Sequence, residues 1–135
     1  MPKALKHTLK VRFFDIDMLG HTNNAAYFTY IEEARMAFCE HLGYTAQNFQ
    51  TDCPFILAEE SCTFKSPSFL NEVLVIKTTV SDLKEKSFIF NYEIKEKKTG
   101  RLIAQAKTIQ VTYDYKKKTV IPIPKELKKK LEALV

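Results

Sequence analysis

The sequence predicts an α+β fold, a five-stranded antiparallel sheet packed against one long central helix, and three observations carry that expectation. One segment has helical period: Tyr27, Tyr30, Ile31, Ala34 and Phe38 recur at the three- and four-residue spacing that puts apolar side chains on one face of a helix. Four later segments, Phe55 to Phe64, Val73 to Val80, Phe88 to Ile94 and Leu102 to Tyr113, have the β-branched and aromatic composition of strands. The stretches between them, SPSFLNE, SDLKEK and KKTG, are short and rich in turn formers, so neighbouring strands run antiparallel.

The first strand precedes the helix. Leu9, Val11 and Phe13 alternate with more polar neighbours, the period of a half-buried strand, which this pattern carries through Phe13. A polar loop follows, holding Asp15, Asp17, Gly20, His21, Asn23 and Asn24. Asn23 or Asn24 can cap the helix through a side-chain oxygen, and Leu42-Gly43 supplies the left-handed stop, giving a helix of about five turns. Thr45 to Phe49 reads as one helical turn with Thr45 at its cap, ended by Pro54. Ser66-Pro67-Ser68 breaks the strand before it, and Gly100 suits the positive backbone angle of a tight hairpin. Beyond the last strand, Pro124 fits a first helical turn, and Leu127, Leu131 and Leu134 form a stripe that packs rather than anchors to a membrane.

The third strand bears on assembly. Val73 and Val75 point one way, and Leu74, Ile76 and Val80 the other, so both faces of the sheet want cover. One long helix covers a single face, which predicts a homo-oligomer.

Length and composition set the outer limits. A chain of 135 residues suits one domain spanning 1–135, long enough to bury about two-thirds of its unfolded surface without disulfides. The net charge of +5 comes largely from Lys116 to Lys118, Lys125 and Lys128 to Lys130, a lysine-rich tail without aromatic interleaving, which argues against a nucleic-acid partner. The opening MPKALKHTLK lacks an apolar export core and no later run has membrane-spanning length, so an unexported, cytoplasmic protein is expected. Cys39, Cys53 and Cys62 lack C-x-x-C spacing and read as small buried thiols.

The polar loop is where chemistry is expected. A helix start carries uncommitted N–H donors and about half a positive charge, which can hold a developing oxyanion. A carboxylate beside it can attack a carbonyl or activate a water, so loop and cap together supply the parts of an acyl-transfer site. Cap chemistry alone would also account for Asp and Asn at this place. Asp15, Asp17 and His21 lack a further obvious ligand, and no metal or other cofactor is expected. The two aspartates lie two residues apart. If the strand ran on to Asp17 their charges would share a face and repel, and if the chain turns first they separate.

The pattern D-x-D-x-x-G-H-x-N-N-x-x-Y followed by E-x-A-R, carried here by Asp15, Asp17, Gly20, His21, Asn23, Asn24, Tyr27, Glu33 and Arg35, resembles the signature of the hot-dog-fold acyl-CoA thioesterases, the 4-hydroxybenzoyl-CoA thioesterase-like family. The resemblance covers nearly the whole chain. It implies a hot-dog fold, thioester hydrolysis to free acid and coenzyme A, and homo-oligomers, dimer or tetramer, whose sheets join edge to edge with active sites between subunits. By the same resemblance Asp17 is the catalytic carboxylate, as nucleophile or as general base, and Asp15 is structural. The Asn24 backbone N–H is the oxyanion donor. His21 positions the loop or water, Asn23 caps or anchors, and Tyr27 forms a wall of the substrate pocket. Lys84, Lys86 and Ser87 resemble the basic turn and strand start that bind the coenzyme A phosphates, and Lys65 and Ser66 are weaker candidates for the same role. The run HTNNAAY departs from hydroxybenzoyl-specific members, which carry an aromatic and proline-containing run there, and points instead to a fatty or short-chain acyl group on coenzyme A or acyl-carrier protein. Phe28, Phe38, Phe55 and Phe64 either narrow such a pocket or belong to the core. The alternative on the same scaffold is an acyl-CoA-binding module without turnover.

Overall fold

The computed structural model describes residues 3–135. Strand β1 (Leu5–Lys10) leads through a 3-10 turn (Phe13–Asp15) and the polar loop into helix α1 (Asn24–His41). The short helix α2 (Phe49–Asp52) is followed by β2 (Phe55–Phe64), β3 (Val73–Ser81), β4 (Ser87–Glu96), β5 (Leu102–Asp114), β6 (Thr119–Val120) and helix α3 (Lys125–Glu132). The five main strands form an antiparallel sheet in the order β1-β3-β4-β5-β2, and β6 adds a two-residue pairing to β5.

Helix α1 lies against one face of this sheet. Its buried residues are Tyr27, Tyr30, Ile31, Ala34, Phe38 and Cys39, which include the whole apolar stripe expected of it. Facing it are Leu74, Ile76 and Val80 of β3 and Phe88, Phe90, Tyr92 and Ile94 of β4, all at most 2 % exposed. Aromatic contacts tie the helix to the sheet and strand to strand within it. The rings of Phe38 and Phe90 lie 4.8 Å apart, and Phe88 meets Phe55 edge-on at 5.2 Å, the tilted geometries that aromatic quadrupoles favour. The other face of the sheet carries polar groups at its centre, with Lys77, Thr79, Asn91, Glu93 and Gln105 around a shallow hollow.

Helix α3 packs Leu127 and Leu131 into the same core, and the Lys130 ammonium donates to the Leu42 carbonyl at 2.8 Å. A cation on the last carbonyls of α1 satisfies an otherwise free acceptor and opposes the negative end of the helix dipole. Burial pushes the thiols of Cys39 and Cys62 up, to about 12 and about 11, as inert core sulfur requires.

Two elements differ from the sequence pattern. Strand β1 stops at Lys10 because the Asp15 carboxylate accepts the Arg12 amide at 2.9 Å and closes a turn, leaving Phe13 75 % exposed. The helical turn after α1 begins at Phe49 rather than Thr45. The Asn48 side-chain oxygen takes the Thr45 amide at 2.8 Å, so the chain first makes a capped turn.

Candidate active site

Because the chain turns before Asp17, the two aspartates have different surroundings. Asp15 is 8 % exposed, and its carboxylate accepts hydrogen bonds from the Arg12 amide at 2.9 Å and the Tyr30 hydroxyl at 2.7 Å. Burial pushes this carboxyl up, but those hydrogen bonds and the Arg12 guanidinium outweigh it and hold it below the usual carboxylate range. Asp15→Ala strands the buried Tyr30 hydroxyl, so urea denaturation should show a loss of about 2–4 kcal/mol. A carboxyl lowered in the folded state stabilises above its unfolded pKa, near ~3.9, and that contribution disappears as pH falls through the lower folded value. Asp15→Asn should therefore flatten the acid limb of the stability profile below about pH 4.

Asp17 sits at the mouth of a small lobe. Ile16 and Thr22 form an antiparallel bridge, the Asp17 amide donates to the His21 carbonyl at 3.2 Å, and the Gly20 amide returns to the Asp17 carbonyl at 3.0 Å. Gly20 has φ +85°, the left-handed angle with which such a short turn rejoins its ladder. One carboxylate oxygen of Asp17 accepts the Leu19 amide at 2.9 Å, and no other side-chain hydrogen bond engages the group among the described residues. It is half-buried, held in direction by its own turn. His21 closes the lobe, with Nδ1 3.4 Å from the Thr22 carbonyl oxygen and no carboxylate within ion-pair distance among the described residues.

Asn23 is the cap of α1: its side-chain oxygen accepts the Ala25 amide at 2.9 Å, and its own amide donates to the Asp15 carbonyl at 2.7 Å. Asn24 is therefore the first helical residue, and among the described residues its backbone N–H has no hydrogen-bond acceptor. A donor in that position is what the first helical turn leaves free. In front of it lies a cleft of about 260 Å³ lined by His21, Asn24, Tyr27, Phe64, Lys65 and Ser66, among others. Asp17 stands just outside this lining, on the lobe that His21 closes. A larger groove of about 740 Å³ runs along the other flank of α1 between Leu9, Thr29, Met36 and Tyr44. Its rim of Glu32, Glu33 and Glu40 lies within α1, beyond the helix start, so the smaller cleft is the one that holds the first-turn amide.

The remaining candidates divide. Tyr27 is 3 % exposed, packs its ring at a tilt against Phe64 with centroids 5.5 Å apart, and turns its hydroxyl inward to Ser68 at 2.7 Å. Of the four phenylalanines read as possible pocket walls, Phe64 lines the cleft, whereas Phe38 and Phe55 are core. Lys65 and Ser66 also reach the cleft. Lys84, Lys86 and Ser87 sit at the opposite end of the sheet. The Lys84 amide bonds the Ser87 carbonyl, and β4 then runs to Glu96, beside Arg101 and Pro67. Nine residue steps of strand put the lysine turn ~30 Å from the cleft within one protomer.

Sequence reasoning passed over Thr22 and Ser68, which are at most 1 % exposed and join the polar loop to the β2–β3 connection. Nothing in their local sequence signals this, because the partners are 46 residues apart.

The sequence model of the thioesterase-like superfamily matches residues 11–131. The chain belongs to that superfamily. This thioesterase-like chain is 28% identical over 127 residues to the long-chain acyl-CoA thioesterase FadM of Escherichia coli, covering 94% of this chain and 96% of the relative. Among solved structures it resembles a gentisyl-coenzyme A thioesterase at 28% identity and TM-score 0.81, over 91% of this chain and 98% of that one. A 1,4-dihydroxy-2-naphthoyl-CoA thioesterase from Synechocystis superposes with TM-score 0.87 over 98% of both chains, at 20% identity, a likeness of fold alone. The shared architecture is the hot-dog fold, its curled antiparallel sheet packed against the long helix α1.

Proposed function

We propose that this member of the thioesterase-like superfamily hydrolyses acyl-CoA thioesters, with Asp17 as its catalytic carboxylate and the Asn24 amide as its oxyanion donor. The observation that carries this reading is the pairing of a lightly engaged carboxylate with a free backbone N–H at the start of α1, on one short loop. The amide stabilises the carbonyl oxygen as it gains charge, and the dipole of the five-turn helix adds to it. Asp17 then either attacks the carbonyl, giving a mixed anhydride that water opens, or takes a proton from the water that attacks directly. In both routes the C–S bond breaks and coenzyme A leaves as the thiol. On the direct route the acid takes its new oxygen from water. On the anhydride route it does so when water attacks the acyl carbon, and takes an Asp17 oxygen when water attacks the Asp17 carboxyl carbon, the water then restoring Asp17. His21 holds the lobe.

An aliphatic acyl group is the favoured substrate, supported by the HTNNAAY run and by a relative named for long-chain acyl-CoA. A thiol-release assay against acyl-CoAs of graded length and against aromatic acyl-CoAs tests the reading. Turnover with a maximum at one chain length supports it, and tight binding without thiol release would make the protein an acyl-CoA-binding module.

The same proposal includes a homo-oligomer, dimer or tetramer, in the cytoplasm. Phe13, Phe14, Met18 and Leu19 are each at least 75 % exposed around the candidate site, an apolar rim that a second copy would cover. A second copy is also what would bring Lys84, Lys86 and Ser87 to coenzyme A phosphates lying at this cleft. Replacing both Lys84 and Lys86 by Ala should raise KM for acyl-CoA about 5–30-fold with little change in kcat, and leave KM unchanged for an acyl-pantetheine that lacks the nucleotide phosphates. No helix among the described residues is long and apolar enough to cross a membrane.

A further inference from the structure

Beneath the polar loop three hydroxyl groups form a chain sealed from solvent. Thr22 Oγ1 donates to the Ser68 carbonyl oxygen at 3.1 Å, and Thr22 Oγ1 also lies 2.6 Å from Ser68 Oγ. Ser68 Oγ in turn lies 2.7 Å from the Tyr27 hydroxyl. Each hydroxyl has one proton, and the first donor is assigned by the carbonyl it meets, so the order follows. Tyr27 donates to Ser68, Ser68 donates to Thr22, and Thr22 donates to the Ser68 carbonyl. Thr22, Ser68 and Tyr27 are 1 %, 0 % and 3 % exposed, so no water can replace a missing member at small cost.

The chain joins three segments that the candidate site needs in register. Thr22 ends the lobe carrying Asp17 and His21, Tyr27 lies in the first turn of α1 behind the Asn24 amide, and Ser68 belongs to the β2–β3 connection. That connection is itself fixed. Arg101 donates to the Pro67 carbonyl at 3.1 Å and to both carboxylate oxygens of Glu72 at 3.0 and 3.1 Å, and Glu72 accepts the Phe69 amide at 2.7 Å. Ser68 is thus a rigid post to which lobe and helix are both tied.

We infer that Ser68 is a positioning residue: through its hydroxyl it locks the first turn of α1 to the Asp17 lobe, so that the Asn24 amide and the Asp17 carboxylate address one carbonyl. This rests on the thioesterase reading for its kinetic consequence, and on the hydrogen-bond geometry alone for its structural one. A displacement of about 1 Å at a reacting centre costs on the order of a hundredfold in rate, which is the scale on which a loosened post would act.

The test measures steady-state kinetics on acyl-CoA together with amide hydrogen exchange. For Ser68→Ala, kcat should fall about 10–100-fold with KM within about threefold of wild type. Exchange should quicken at the Thr22, Asn23 and Ala26 amides while the β4 amides keep their protection. Adding Tyr27→Phe to Ser68→Ala should cost little more, because Tyr27 has already lost its partner. An unchanged kcat, a uniform rise in exchange across the sheet, or additive losses would each overturn the inference. If Ser68→Ala does not fold, Tyr27→Phe alone leaves the Ser68–Thr22 bond whole. It should still lower kcat about 3–10-fold and quicken exchange at the same amides, and wild-type behaviour in both overturns the inference. If the wild-type protein releases no thiol from any acyl-CoA, the thioesterase reading fails, and the exchange pattern decides the role of Ser68 by itself.

Discussion

Asp17→Asn should leave a folded protein that still binds acyl-CoA and turns it over about 10²–10⁴-fold more slowly. The substitution removes the charge and nucleophilicity of the group while conserving its shape. An amide oxygen can still accept the Leu19 amide that Asp17 holds at 2.9 Å, so the turn survives and stability should change by less than about 1 kcal/mol. Asp17→Ala gives up that bond as well and should be as slow and slightly less stable. The contrast with Asp15 makes the pair informative: one carboxylate is expected to matter for rate and hardly for stability, the other for stability first. Stopped-flow or plate-based thiol release, run beside urea denaturation of Asp17→Asn, Asp17→Ala and Asp15→Ala, checks both halves. If Asp17→Asn keeps the wild-type rate, Asp17 is a turn former and the water is activated elsewhere.

Asn24→Pro should be nearly as damaging to rate, by about 10²–10³-fold, and for a reason no other substitution at that position shares. The proposed oxyanion donor is a backbone N–H, which Asn24→Ala retains, so that variant should run close to wild type. Proline removes the N–H itself. At the first position of a helix it does so without breaking a bond or bending the chain, because that N–H is outside the helical ladder and proline's fixed angle suits the start. The preceding residue must be extended, and Asn23 is, with φ −63° and ψ 138°. Circular dichroism and denaturation should therefore match wild type while kcat falls. Equal activity in the proline and alanine variants would remove the Asn24 amide from the mechanism.

What the sequence makes legible here is what depends on local period. The stripe from Tyr27 to Phe38, the four later strands, the Asn cap and the left-handed Gly43 all follow from spacing and turn chemistry, and all are present. The motif on the polar loop was equally readable, since its residues lie within one segment of chain. What was not legible depends on partners far away in sequence. The alternation through Phe13 suggests a strand that the Asp15 carboxylate cuts short by taking the Arg12 amide. Phe28, Phe38, Phe55 and Phe64 are alike as letters, and only their tertiary neighbours separate the core rings of Phe38 and Phe55 from the Phe64 ring at the cleft and the half-buried Phe28. Ser68 looks like a strand breaker beside proline, yet its hydroxyl is one of the most buried polar groups in the chain. The ~30 Å between the lysine turn and the cleft follows from strand length once the register is known.

The lysine that completes α1 has a consequence for the order of events during synthesis. The last carbonyls of the helix find their cation on Lys130, 88 residues after Leu42. When the ribosome has made the helix, neither that cap nor the strands that cover its apolar stripe yet exist. The segment that holds the proposed chemistry is thus translated early and finished late. A nascent chain halted before residue 73 would carry the whole motif on a helix still open at its far end and not yet covered by β3 and β4, exposing its apolar face to chaperones rather than to substrate.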